Sequence, residues 1–313
     1  MSCGDTLVDL FSQPESSDGS VTLSGHVGGS PLNVALGLAR LGNHSAFLCK
    51  NSTDFIGQRI LKYLNNNSVD TQWIIPSSLN STLAMVQRAE DGSANYAFYI
   101  DNTADRSLLP DELPSGFPEA LKLLHFGSYS TAIEPTSGSL LALARRESAQ
   151  RLISYDPNIR PSIEPDMQVW RSQFSEFVKV AGFVKASDED IEHLFGANKG
   201  HDEFAADVIA AGAALVAVTR GSDGAHLYSA DGRRSLSQAF EVKVVDTVGA
   251  GDTFQSASLH YLGTSGCLDG SRLSVAELDL DELVNFAAQA AAITCTRQGA
   301  DLPTLADIQT FTK

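Results

Sequence analysis

Apolar residues in this chain fall into short runs that alternate with longer stretches of helical spacing. The runs at 45–49 (SAFLC), 151–156 (RLISYD), 181–186 (AGFVKA) and 214–219 (ALVAVT) have the length and content of buried strands. Amphipathic stretches at about 54–66, 136–149, 166–179, 202–212 and 281–297 predict helices. Such alternation implies βαβ units. The expected fold is therefore α/β: a doubly wound, mostly parallel sheet with helices on both faces, formed as one domain over 1–313. Two segments, 7–25 and 83–100, break the pattern. Each predicts strands with a turn, around SSDG and EDGS respectively, and together they suggest a small β subdomain at one sheet edge. Two surface hairpins are the alternative.

Two stretches depart from plain packing. In DTVGAGDTF (246–254), three residues almost without side chains precede Asp252. Phe240, Val242 and Val244 alternate with polar residues upstream and predict a strand. Phe254, Ala257, Ser258 and Tyr261 predict a helix downstream. Gly249, Ala250 and Gly251 then open a helix, where leading N–H groups lack partners and the dipole is positive, so the turn suits an anion. Asp252 is either a helix-start acid or a general base beside a transferring phosphoryl group. In GGSPLNVALGLARLG (28–42), Ser30 suits an N-cap, Pro31 the first helical position and Gly42 the stop. Asn33 is a polar residue near the start of a helix apolar on more than one face. It suits either a hydroxylated ligand or an internal backbone bond.

Charge narrows the function. Acids outnumber bases 38 to 22, for a net charge of −16, which argues against nucleic acid and requires a local device for any bound anion. Cys3, Cys49, Cys267 and Cys295 lack paired spacing, and the seven histidines are scattered, so neither a disulfide framework nor a zinc site is expected. No run approaches the roughly 18 apolar residues of a membrane span and no signal peptide is evident, giving the expectation of a cytoplasmic protein with no membrane partner.

The two stretches resemble, in order and spacing, the signature motifs of the ribokinase-like carbohydrate kinases, the phosphofructokinase-B family. TRGSDGAHLY (219–228) and TCTRQGAD (294–301) are similar to its nucleotide-side segments. The resemblance implies a β lid, ATP with Mg2+ and in many relatives K+, and phosphorylation of a small-molecule sugar. It implies Asp252 as catalytic base and the N–H groups of Gly249, Ala250 and Gly251 as the anion hole. Asp9, Gly29, Asn33, Arg106 and Arg160 match substrate-side positions. Lys185, Ser187, Thr219, Gly221, Gly224 and Gln289 match the nucleotide side. Asp190 matches a water-mediated divalent-metal position and Asp246 a monovalent-cation position; turn stabilisation is an equal reading for Asp246 and surface charge for Arg106, whereas Arg160, which follows a strand end, suits the substrate side better than surface charge. The lid implies closure over substrate or a homodimer.

This chain departs from the family pattern in three places. The first strand is short, Ser187 to Asp190 replaces an Asn-x-x-Glu motif, and Gln289 stands where Asn is common. Within the family, GGSPLNVA, NTADRSLLP (102–110), DPNIRP (156–161) and TCTRQGA are most similar to bacterial fructokinases, while 2-keto-3-deoxygluconate kinases share an Asp-x-Asn-x-Arg segment. Other classes fit less well. A Rossmann oxidoreductase lacks its GxGxxG and ribose-binding acid, and a Walker NTPase lacks GxxxxGK[ST]. A non-catalytic sugar sensor would not need the intact Asp252 and glycines.

Overall fold

A computed structural model of the chain describes residues 1–12, 20–88 and 94–311. The first half contains β1 (Ser2–Cys3), β2 (Leu7–Ser12), β3 (Leu23–Gly28), α1 (Ser30–Arg40), β4 (Phe47–Ser52), α2 (Phe55–Asn66) and β5 (Ile74–Ser77). There follow β6 (Thr82–Arg88), β7 (Ala94–Tyr99), β8 (Leu123–Gly127), α3 (Thr136–Glu147), β9 (Leu152–Asp156) and α4 (Met167–Phe177). Next come β10 (Phe183–Ser187), α5 (Asp188–Phe195), α6 (His201–Ala210), β11 (Leu215–Thr219), β12 (Ala225–Ser229) and β13 (Arg234–Ser237). The chain closes with α7 (Ala250–Thr264), the short pair β14 (Leu268–Asp269) and β15 (Arg272–Leu273), α8 (Leu280–Cys295) and α9 (Leu305–Thr310).

The nine-stranded sheet has the order β13-β12-β11-β10-β9-β8-β1-β4-β5, and only β12 runs against the rest, antiparallel to β11 and to the edge strand β13. The short β1 is fully paired, with β4 on one side and β8 on the other. From β1 the chain winds outward to β4 and β5, then returns to β8 and winds the other way. This places the topological switch point at β1/β8, and ligands of such sheets bind beyond the strand carboxyl ends at that point. Helices α3 to α6 cover one face; α1, α2, α7 and α8 cover the other. The strands are buried on both sides and accordingly read as unbroken apolar runs. No helix among the described residues is long and apolar enough to cross a membrane, and the four cysteines are free thiols.

A separate four-stranded sheet of order β3-β2-β6-β7 forms the small β subdomain. Its strands are those expected over 7–25 and 83–100, although the second hairpin strand of the first segment runs on to Gly28. The turns expected at SSDG and EDGS lie outside the described residues. The two central strands, β2 and β6, are parallel, so the subdomain is one sheet rather than two independent hairpins.

One expected element is absent. Residues 240–244 form no strand. Their period-2 pattern serves another surface, since Phe240, Val242 and Val244 line a cleft.

Candidate active site

Asp252 sits in the first turn of α7 and is buried. Gly249 caps that helix in the left-handed region (φ 79°), where a Cβ would lie 2.7 Å from that of Ala300; glycine is the residue that accepts both conditions. Of the three N–H groups expected to form an anion hole, that of Ala250 donates to the Thr247 carbonyl at 3.2 Å. Those of Gly249 and Gly251 meet no acceptor among the described residues, as is usual for the leading N–H groups of a helix, and Ala250 and Gly251 line the cleft.

Both oxygens of Asp252 accept hydrogen bonds from α1: Ser30 Oγ donates to Oδ1 at 2.7 Å and Asn33 Nδ2 to Oδ2 at 2.8 Å. Two expectations change here. Ser30 is not the N-cap; Gly29 is, and Ser30 is the first helical residue, with its hydroxyl directed at Asp252. Asn33 is held against the same carboxylate instead of bonding backbone. The paired glycines before α1 make this approach possible. A Cβ on Gly28 would stand 2.5 Å from the Asp9 carboxylate, and one on Gly29 (φ 113°) 2.9 Å from the Asp5 carbonyl. They admit the close approach of neighbouring protein atoms.

Asp9, on β2, faces Asp252 and Arg160 across this region. Burial pushes its carboxyl up to about 6, with Arg160 opposing and Asp252 adding to the rise. Arg160 is exposed beyond the end of β9, and its Nη1 donates to its neighbour's carbonyl at Ile159. Arg106 donates to the Ile100 carbonyl at 2.7 Å and lies near Asp101.

At the start of α7, lined by Ala250, Gly251 and also Arg160, opens a cleft of about 650 Å³. Lys185, Ser187 and Thr219, at the carboxyl ends of β10 and β11, form its floor; Gly221 and Gly224 line it, as do Ala288, Ala291 and Ala292 of α8. Gly224 is required by a turn (φ 87°) in which a Cβ would overlap the Ser237 carbonyl at 2.0 Å. Lys185 is buried and its Nζ lies 2.8 Å from Asp156 Oδ2. Burial disfavours its ammonium, but the carboxylates of Asp156, Asp190 and Asp252 outweigh that and raise it. Burial pushes Asp156 up to about 6, which leaves the pair ionic at neutral pH.

Several matched positions have protein partners of their own. Ser187 and Asp190 form a capping box at the start of α5, and Asp190 also accepts from the Ile159 N–H at 2.8 Å. Asp246 accepts from the Val248 and Gly299 N–H groups, each at 3.1 Å, joining the loop before α7 to the loop after α8. Gln289 does not line the cleft. Its amide donates to the Ile308 carbonyl at 2.9 Å and secures α9, because on α8 it points about 100° away from Ala288.

The sequence reading did not single out Asp156 or Asn158. Asp156 Oδ1 is buried without a hydrogen-bond partner, and Asn158 lines the cleft with φ 43°. Their signal was the polar punctuation DPN straight after an apolar strand. Also unread was the layer beneath α7, where Gln255 Nε2 donates to Ser154 Oγ at 2.6 Å beside His125. Burial and the nearby Lys185 hold that imidazole down at about 3, so it is neutral.

A buried carboxylate held by two side-chain donors thus stands at a helix start whose Ala250 and Gly251 line a cleft with a buried cation. The sequence profile of the pfkB family carbohydrate kinases matches residues 1–307. The chain belongs to that family. It is 36% identical to a fructokinase of Rhizobium leguminosarum bv. trifolii over 283 residues, covering 90% of this chain and 85% of that one. Its fold is similar to the ATP-bound fructokinase of Xylella fastidiosa, with a TM-score of 0.87 and 25% identity, covering 98% and 96% of the two chains. It is likewise similar to a fructokinase of Vibrio cholerae O395 bound to fructose, ADP and calcium, with a TM-score of 0.84 and 27% identity over 100% and 98%. As a member of this family the chain is an ATP-dependent carbohydrate kinase.

Proposed function

We propose that this kinase transfers the γ-phosphoryl group of ATP to D-fructose, at a primary hydroxyl. The observation that carries the reading is the buried Asp252 in the first turn of α7, where Ala250 and Gly251 line the cleft together with Arg160 and where Asp9 senses the charges of both Asp252 and Arg160. Asp252 takes the proton of the attacking hydroxyl, whose oxygen forms the new bond to phosphorus as the bond to the ADP oxygen breaks. The free N–H groups of Gly249 and Gly251, the positive end of α7 and the ammonium of Lys185 stabilise charge on the phosphoryl oxygens. Asp9, Gly29, Arg106 and Arg160 frame the sugar, and Thr219, Gly221 and Gly224 border the nucleotide.

A bound divalent ion such as Mg2+ would neutralise charge on the phosphates. The chain fits a loose hold on it. No group of three metal-ligating side chains occurs among the described residues, but Asp156 has an unpartnered oxygen and Asp190 lies beside it. Magnesium commonly keeps several waters and takes one or two carboxylates plus substrate phosphates. A K+ ion at Asp246 and pairing of two copies through the β subdomain belong to the same proposal.

Fructose is favoured over a sugar acid by the fructokinase relatives named above. The test is ADP release over a panel of sugars with and without Mg2+. D-fructose is expected to exceed 2-keto-3-deoxygluconate and ribose in kcat/KM by at least about tenfold, roughly 1.4 kcal/mol of transition-state binding. A sugar acid or ribose ranked first would overturn the substrate.

A further inference from the structure

We propose that Ser30 is a positioning residue for phosphoryl transfer, fixing the orientation of the Asp252 carboxylate and its readiness to accept a proton. The inference rests on Asp252 acting as the base. Ser30 and Asn33 lie one turn apart on α1 and so share a face. They reach across 222 and 219 residues of chain to the two oxygens of one carboxylate, at 2.7 and 2.8 Å. All three side chains are buried. One donor alone would leave the carboxylate free to rotate about its Cβ–Cγ bond; two donors, one on each oxygen, fix its plane. They occupy one acceptor site on each oxygen and leave others for an incoming hydroxyl.

Helix formation does not require this hydroxyl. No side chain caps α1, Gly29 occupies the N-cap and Pro31 supports the first turn. A serine at the first helical position, with its Oγ spent on a residue of another helix, is explained by what it holds. Its hydrogen bond favours the ionised carboxylate. The charged groups acting on the same carboxylate are Asp9 on β2, Asp156 on β9 and Lys185 on β10. None of these hydrogen-bonds to Ser30 among the described residues, so changing Ser30 alters the donor and leaves that charge set in place.

The experiment compares wild type, Ser30→Ala, Ser30→Cys, Ser30→Thr and Asp252→Asn, each checked for fold by circular dichroism and assayed for ADP release from pH 5 to 9. Ser30→Ala is expected to lower kcat about tenfold with KM for ATP and sugar within about twofold, and to move the acid limb of the pH profile upward by about one unit. Ser30→Cys keeps the volume with a weak donor and is expected to shift the same way by less, which also serves should the alanine variant lose its fold. Ser30→Thr, which retains the hydroxyl, is expected to restore the limb. An inactive Asp252→Asn with a Ser30→Ala or Ser30→Cys profile that overlays wild type would overturn the role of Ser30 alone. An Asp252→Asn enzyme turning over at the wild-type rate would overturn the base and Ser30 with it.

Discussion

The ammonium of Lys185 stands 3.3 Å from the point that a Cβ on Gly251 would occupy. The buried cation and the bare first turn of α7 are thus in direct apposition, and the absence of a side chain at 251 keeps the charge facing the cleft. Lys185 is also the counter-ion of Asp156.

Removing that cation strands a buried carboxylate. Lys185→Met is expected to cost about 3–5 kcal/mol of stability and to abolish most turnover. The double variant Lys185→Met/Asp156→Asn should regain much of the stability but little activity. Urea denaturation and ADP release, measured on both variants, separate the two effects.

The glycines before Asp252 differ in what they tolerate. Gly249→Ala combines a left-handed backbone with contact on Ala300, so a stability loss of about 1–3 kcal/mol is expected along with reduced turnover. Gly251→Val meets only the end of a lysine side chain. It should leave the circular dichroism spectrum intact while nucleotide turnover collapses.

Asp252→Asn tests the base directly. Its amide can still face Ser30 through its oxygen, and Asn33 can flip to present its own oxygen to the new NH2 group. The helix contact therefore survives, and the expected result is kcat down by about 10² to 10⁴ with ATP and sugar affinity within a few fold. Isothermal titration provides the affinities.

Much of this architecture was legible because apolar runs and helical spacing report burial directly. The runs at 151–156 and 214–219 became β9 and β11, and the stretch at 281–297 became α8 within two residues at either end. Pattern alone failed where an apolar face meets something other than protein. Phe240, Val242 and Val244 have strand periodicity, yet they wall a cleft, and a sequence does not say what covers a hydrophobic side chain. Local signals also misled at Ser30, whose place before a proline suits a cap, because its partner lies 222 residues away. Gln289 is one position off the cleft-facing stripe of α8, a difference of phase that motif matching does not resolve.

A last prediction concerns pH. Asp5, behind Gly29 and buried, has its carboxyl pushed up to about 7 by burial, with nearby Asp105 adding to the rise. In the unfolded chain an aspartate titrates near 3.9. Between about pH 4 and 7 the folded protein therefore holds a proton that the unfolded chain has released, and stability falls as pH rises through this window. Below about pH 4 the contribution is complete; above about pH 7 it is gone. Asp5→Asn should flatten this slope, leaving the contributions of Asp9 and Asp156, which are raised in the same direction. Thermal unfolding from pH 4 to 8, compared with wild type, measures the change.

The wall formed by residues 240–244 has a cost when nothing occupies the cleft. It lines the cleft with alternating apolar side chains, and its Val244 and the adjoining Val245 are 59% and 53% exposed. Exposed apolar side chains of this kind favour contact with another molecule. Nucleotide seated against it would act as a chaperone for its own enzyme, shielding an adhesive seam, so storage without nucleotide should favour self-association through this segment.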